Sequence, residues 1–311
     1  MGKDISKNLV GQPIFKQIIK MLPREQFDLL VNQCGSDRYY KHFFSWDQLI
    51  VMLFGILSRC DSMGEVCDGM RALSGKLNYL GMDCAPSKST AGDALRDRDE
   101  ELFRLYYFVL IAHFRPLLSV SRKEKVSFEE FYAFDSTTIT LFSQVMKGVG
   151  RNPKGDGKKK GGLKVHMLTD VHSETAVFAK ISEAKMHDKK FLAHLNPGKG
   201  SMLVFDKAYN YYAQFAEWTR EGINFVCRLK DNAKAQLQDV LFEKTLQKGE
   251  SGVYKVEHIH LDYKKDKQEK TLCLRLVYYK DEQGRKYKFI TNNWEITAEE
   301  VALIYKYRWT I

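Results

Sequence analysis

Two short apolar runs, Phe131-Tyr132-Ala133-Phe134 and Met202-Leu203-Val204-Phe205, each stop at an acid, Asp135 and Asp206. Compact apolar runs of this length read as strands buried on both faces, as in the middle of an α/β sheet. An aspartate ending each run brings two carboxylates to the rim of one domain. Mg²⁺ asks for such a pair: it prefers oxygen ligands, commonly takes one or two carboxylates, and keeps positions for water and phosphate. The ordinary alternative is that each aspartate only forms a turn or caps a helix.

The surrounding chain supplies the rest of such a domain. Residues 163–169 and 176–181 read as strands joined by the polar turn 170–174, a hairpin. A helix over 211–221 and a strand over 224–229 follow Asp206. Strand-like pieces at 253–261, 272–279 and 286–290 then break the alternation and read as a β-rich insertion over about residues 232–292. Thr297 with Glu300 predicts a capped helix from 301 to 311.

Residues 1–127 read as helical, with a candidate linker at 119–125. Trp46, Leu49, Ile50, Leu53, Phe54 and Leu57 recur at helical spacing, with Ser45 and Gln48 as a capping box. Ser62 with Glu65 starts another helix, a short polar one covers 87–98, and an amphipathic one over 101–114 ends at Pro116. Short helices closed by a polar one bearing Ser89 and Arg96 suggest a helix-turn-helix-like DNA-binding module. An ordinary helical bundle with one exposed helix has the same pattern.

The chain has 311 residues and a formal charge of +10. More than half of that charge sits between residues 147 and 164. Lys147, Arg151, Lys154, Lys158, Lys159, Lys160 and Lys164 face Asp156 alone there, among glycines. Such a stretch is either a solvated loop or a grip on phosphate backbones through counterion release. The six cysteines form no C-x-x-C pair and read as reduced, buried thiols rather than a zinc site. No long apolar run or signal-peptide core is visible, so the expectation is a cytoplasmic protein with no membrane partner.

The last residues, Tyr305-Lys306-Tyr307-Arg308-Trp309-Thr310-Ile311, contain Tyr-x-x-Arg, and a helix puts Tyr305 and Arg308 on one face. Here the chain resembles the insertion-sequence DDE transposases, specifically the insertion-sequence-four family with its signature Y-x2-R-x3-E-x6-K. Tyr305 and Arg308 fit its first two letters; the Glu would come directly after Ile311, and the Lys is absent too. Ala133-Phe134-Asp135-Ser136-Thr137 resembles the family's first-aspartate motif. The run Lys160-Gly161-Gly162-Leu163-Lys164-Val165-His166 resembles the basic run entering its second strand. Leu203-Val204-Phe205-Asp206-Lys207-Ala208-Tyr209 resembles the second-aspartate motif, with Ala208 where a glycine is usual.

The resemblance implies a ribonuclease-H-like α/β catalytic domain over 128–311 with a β-rich insertion, preceded by an all-α DNA-binding module over 1–127. It implies a transposase in which Asp135, Asp206 and the following Glu hold two Mg²⁺ ions, with Mn²⁺ able to substitute. Water attacks at the transposon end, and the freed 3′-hydroxyl attacks target DNA. The implied partners are the terminal inverted repeats and target DNA, engaged by a homodimer. Tyr305 and Arg308 are implied phosphate contacts. Lys164 and His166 reach the same backbone, unless His166 is simply packed on its strand, and the charge run adds Lys158, Lys159 and Lys160 as a DNA grip. Residues 1–311 as written are expected to bind DNA but cut it poorly. The alternative is a dead or truncated transposase that only binds DNA.

Overall fold

The computed structural model describes residues 14–118, 128–140, 162–184, 186–247 and 249–310. The chain divides into two compact units, Met1–Leu118 and Ser119–Ile311. The first is helical: α1 (Ile14–Met21), α2 (Arg24–Cys34), α3 (Ser45–Leu57), α4 (Met63–Ala72), a 3-10 stretch (Ser74–Leu80), α5 (Lys88–Asp97) and α6 (Glu101–Leu118). Its core gathers around Phe27, whose ring meets Trp46 of α3 at 5.2 Å and Tyr106 of α6 at 4.8 Å, both edge-on. Ile50 of α3 and Met70 of α4 are fully buried beside them.

Two local expectations in this unit need correction. Ser45 does not cap α3; its hydroxyl goes to Asp37 Oδ1 at 2.7 Å, while Asp47 accepts the Phe44 N–H at 2.9 Å. Helix α6 does not stop before Pro116 but runs to Leu118. Proline there costs one backbone hydrogen bond near a helix end, where few remain to be made. Ser62 does cap α4, accepting the Glu65 N–H at 3.3 Å.

Among the described residues, the second unit is a mixed α/β structure built on one nine-stranded sheet. Its strands are β1 (Phe131–Thr140), β2 (Gly162–Asp170), β3 (Thr175–Glu183), β4 (Met202–Phe205), β5 (Asn224–Arg228), β6 (Ala235–Glu243), β7 (Gly252–Lys265), β8 (Gln268–Lys280) and β9 (Lys286–Thr291). The order is β3-β2-β1-β4-β5-β9-β8-β7-β6. β1, β4 and β5 pair in parallel, β2 is antiparallel to both neighbours, and β5 through β6 continue as an antiparallel meander. Helix α7 (Tyr212–Glu221) links β4 to β5, its C-cap Gly222 at φ 74°, a value glycine tolerates. Helix α8 (Ala298–Tyr307) follows the meander.

Side chains alternate between the sheet's two faces. Phe134, Leu203, Phe205, Phe225 and Cys227 join Phe215 and Trp218 of α7 in one core. Phe131, Ala133, Met202, Val204 and Val226 join Val301, Ile304 and Tyr305 of α8 in another. The same period carries the next residues, Asp135 after Ala133 and Asp206 after Val204, toward the α8 face.

Three further expectations differ from the structure. β1 does not end at Asp135; its parallel ladder with β4 stops at Phe134↔Phe205, while its antiparallel ladder with β2 continues to Thr140↔Gly162. Strand β6 was not foreseen, because it is exposed along its whole length and leaves no burial pattern in the sequence. Helix α8 tightens into a 3-10 turn at Arg308–Thr310 instead of running on as α-helix. The Thr297–Glu300 capping box that starts α8 is present, with the Glu300 N–H donating to Thr297 Oγ1 at 3.2 Å and the Thr297 N–H to Glu300 Oε2 at 2.7 Å.

Candidate active site

Asp135 and Asp206 lie one position beyond the last residues that pair β1 with β4. Adjacent strands run about 4.8 Å apart, so the two carboxylates start from neighbouring backbone. Beneath them Phe134 stacks on Phe205 at 4.5 Å and 20°, and Tyr209 meets Phe134 edge-on at 4.8 Å. Each of these phenylalanines is fully buried, worth about 1.5–3 kcal/mol apiece, so the strand ends stand on a rigid aromatic floor.

Each aspartate gives one oxygen to backbone and turns the other toward α8. Asp135 Oδ1 accepts the Ser136 N–H at 2.8 Å, and Asp206 Oδ1 accepts the Ala208 N–H at 3.2 Å, capping a short 3-10 turn. The two Oδ2 atoms meet one guanidinium. Arg308 Nη1 donates to Asp135 Oδ2 at 2.9 Å, and Nη2 lies 3.5 Å from Asp206 Oδ2, an ion pair rather than a good hydrogen bond. The Tyr305 hydroxyl donates to the same Asp206 oxygen at 3.3 Å.

Tyr305 is buried against Phe289, ring centroids 4.6 Å apart, and this burial pushes its phenol well above the usual range. The Arg308 side chain is 5% exposed, whereas those of Asp135 and Asp206 are 60% and 26% exposed. A buried cation thus reaches up to two solvent-facing acids. Its Nε is buried without a hydrogen-bond partner. The pair of carboxylates suits a hard cation, and a cationic group already bridges it. Among the described residues no third His, Cys, Asp or Glu completes a metal-sized cluster with them.

The other residues read from the sequence fall elsewhere. His166 does not face outward: it is fully buried, stacks on Phe191 at 4.7 Å and 13°, and its Nε2 lies 3.0 Å from Ser182 Oγ. Of the two readings open for His166, phosphate contact or packing, its burial favours packing, since reaching DNA would mean unstacking it from Phe191. Lys164 is half-buried, and its Nζ donates to the Met186 carbonyl at 3.2 Å. Ser89 and Arg96 both lie on exposed faces of α5, whose buried residues are Ala91 and Ala94. Arg96 is held by Asp93 at 2.9 Å and Asp97 at 2.7 Å. Lys158, Lys159, Lys160 and the linker read at 119–125 lie outside the described residues.

Two features escaped the sequence reading. Lys207, next to Asp206, pairs with Asp231 at 2.8 Å, a contact no local spacing announces. Arg308 pairs with the acids themselves; the only available signal was the Tyr-x-x-Arg spacing that puts it beside Tyr305. The cysteines among the described residues are free, but Cys84 and Cys273 are exposed rather than buried.

The family model described as Transposase DDE domain matches residues 126–311, more than half of the chain. The chain belongs to this family. Its members are transposases, enzymes of DNA transposition and recombination that act on DNA and generally use divalent metal ions. In this transposase the matched segment contains both strand-end aspartates, Tyr305 and Arg308. A second model, Domain of unknown function (DUF4372), matches residues 10–83 of the helical unit. Comparison with curated proteins finds no match. No helix among the described residues is long and apolar enough to cross a membrane.

Proposed function

We propose that the chain is a transposase of the insertion-sequence-four group that binds transposon ends and cuts and joins DNA at Asp135 and Asp206. The observation that carries this reading is the Arg308 guanidinium bridging the Oδ2 atoms of both aspartates. The strand order β3-β2-β1-β4-β5, with β2 alone antiparallel, supports a ribonuclease-H-like core. β6 to β9 are then the family's insertion, added to the edge of β5.

Asp135 and Asp206 would hold the metal, together with the Glu that the family signature calls for after Arg308. When bound, a pair of Mg²⁺ or Mn²⁺ ions activates a water or 3′-hydroxyl and stabilises the leaving oxygen of an in-line displacement at phosphorus. The protein's own part is positional. The aromatic floor fixes the strand ends, and the neutral Tyr305 phenol orients Asp206. Arg308 presents a planar fork that matches phosphate as well as carboxylate. With the acids engaged by a metal, the same fork would be free to hold a DNA phosphate.

Lys158, Lys159 and Lys160 grip the DNA backbone without sequence preference. Ser89 and Arg96 of α5 contact the transposon end. Arg96's exposed ion pairs are weak enough to exchange for phosphate. The enzyme acts as a homodimer on paired ends.

The test is Mg²⁺-dependent nicking of a labelled duplex bearing the element's own ends, by a chain extended through the signature's Glu and Lys. Asp135→Asn and Asp206→Asn should each abolish nicking and leave DNA affinity within about twofold. Nicking that survives either change rules these acids out.

A further inference from the structure

We infer that the β-rich meander carries a second metal site, for a zinc-class transition-metal ion, formed by His258, His260 and Cys273. On β7, Ile259 and Leu261 fill the core on the α7 side, so His258 and His260 project together from the opposite face. Across the ladder, Cys273 of β8 is the register partner of His260. One ligand atom from each of the three residues lies within 4.8 Å of the others. Zinc bonds of about 2.0–2.1 Å to nitrogen and 2.3 Å to sulfur bring these atoms together with small side-chain rotations.

The ligand chemistry selects the ion. Two imidazoles and a thiolate suit Zn²⁺ or its neighbours, whereas Mg²⁺ asks for oxygen, so this site and the carboxylate pair take different metals. The site also has a polar atom in want of a partner: His258 Nε2 is shielded from solvent and makes no hydrogen bond. Native folds rarely leave such an atom unpaired. Trp294 packs edge-on against His258 at 5.2 Å, as does His260 at 5.2 Å, so the cluster is bordered by an aromatic ring. Arg275, the register partner of His258 on β8, is turned away to the Ile296 carbonyl, 2.5 Å from its Nη1. Cys273 is exposed, which gives an ion a route in from solvent.

Three protein ligands leave a fourth tetrahedral position for water or an incoming group. A bound ion ties β7 to β8 and displaces the Cys273 thiol proton, so affinity falls as pH is lowered. Nothing in the spacing His-x-His with a cysteine 13 residues on resembles a zinc finger. The site exists only through cross-strand register.

The experiment uses the full chain, stripped with chelator and titrated with Zn²⁺ against a chromophoric chelator, then with Co²⁺. The expected result is one tight equivalent of Zn²⁺ and, with Co²⁺, a thiolate-to-metal charge-transfer band. His258→Ala and His260→Ala should each weaken Zn²⁺ by more than the roughly 10–100-fold that loss of a mere supporting partner costs. Cys273→Ser should remove the band, and the Asp135→Asn/Asp206→Asn double variant should keep both signals. Cys273 is exposed, so its serine variant folds, and the wild-type Co²⁺ spectrum needs no variant at all. Absence of the band in the wild-type chain, or Zn²⁺ affinity unchanged in all three variants, overturns the site.

Discussion

Arg308 decides how the acid pair behaves before any metal arrives. Two carboxylates gathered at one guanidinium repel each other, and the cation between them offsets that repulsion. Mg²⁺ carries twice the charge and approaches oxygen to about 2.0–2.1 Å, so an ion bound by this pair would have to displace Arg308 and would then feel its charge. Arg308→Ala removes both the competitor and the repulsion. It should tighten Mg²⁺ binding about tenfold, roughly 1.4 kcal/mol, while lowering DNA nicking. Calorimetric titration with Mg²⁺ measures it, and an affinity unchanged or weaker means that Arg308 does not stand where the ion goes. The buried phenols make a second residue-level prediction. Burial pushes Tyr212 up to about 12, and raises Tyr106, Tyr278 and Tyr305 as well. Unfolded tyrosines ionise near 10, so above that pH the unfolded chain loses protons that the folded one keeps. The buried thiols of Cys227, Cys34 and Cys67, also raised by burial, start a decline where unfolded cysteines ionise, at about 8.5, and the phenols should steepen it as pH rises from about 10 toward 12. Urea midpoints measured from pH 8 to 11.5 test this, and a constant midpoint counts against it.

At the scale of elements, Arg98 is the joint that fixes α5. Its side chain is 1% exposed, donates to the Phe43 carbonyl at 2.7 Å, the Ser36 carbonyl at 3.3 Å and Gln48 Oε1, and lies 3.4 Å from Asp37. α5 itself buries little besides Ala91 and Ala94, so this polar network replaces the apolar packing it lacks. Arg98→Ala leaves several buried acceptors unmet and should destabilise the helical unit by about 3 kcal/mol. A urea unfolding curve that moves by less than about 1 kcal/mol, the size of a single exposed contact, would place the joint elsewhere. Such joints were not legible in the sequence, where Arg98 is one more charge after a polar helix. What was legible shares one property, a signal written in residues close together in the chain. The Met202–Phe205 strand, the Ser62 cap and the Thr297–Glu300 box all announce themselves within a few residues. β6 is exposed throughout and announces nothing, and β1 outruns its apolar stretch because β2, not burial, pairs its second half.

At the scale of the whole catalytic unit, the site is assembled across 173 residues of sequence, from Asp135 to Arg308. Loop-closure cost grows only logarithmically with length, about 0.6 kcal/mol per doubling, so a long meander can be inserted cheaply if its ends return together. They do, because β9 pairs with β5 and hands the chain back to α8 beside the acids. The aspartates and the Tyr305/Arg308 face were therefore legible as motifs, but their convergence was a matter of topology. That convergence brings two acids and no third among the described residues. Two carboxylates can hold one divalent ion, and the second is then short of a ligand. If its absence restores about 4 kcal/mol of barrier, cutting slows roughly a thousandfold. Residues 1–311 should thus bind DNA bearing the element's ends as tightly as a chain extended through the signature's Glu and Lys, yet nick it about a thousandfold more slowly. Changing that added Glu to Gln in the extended chain should return the rate to that of residues 1–311. Equal nicking by the two lengths would mean that the third acid comes from within residues 1–311, and that the metal is held by a different set of groups.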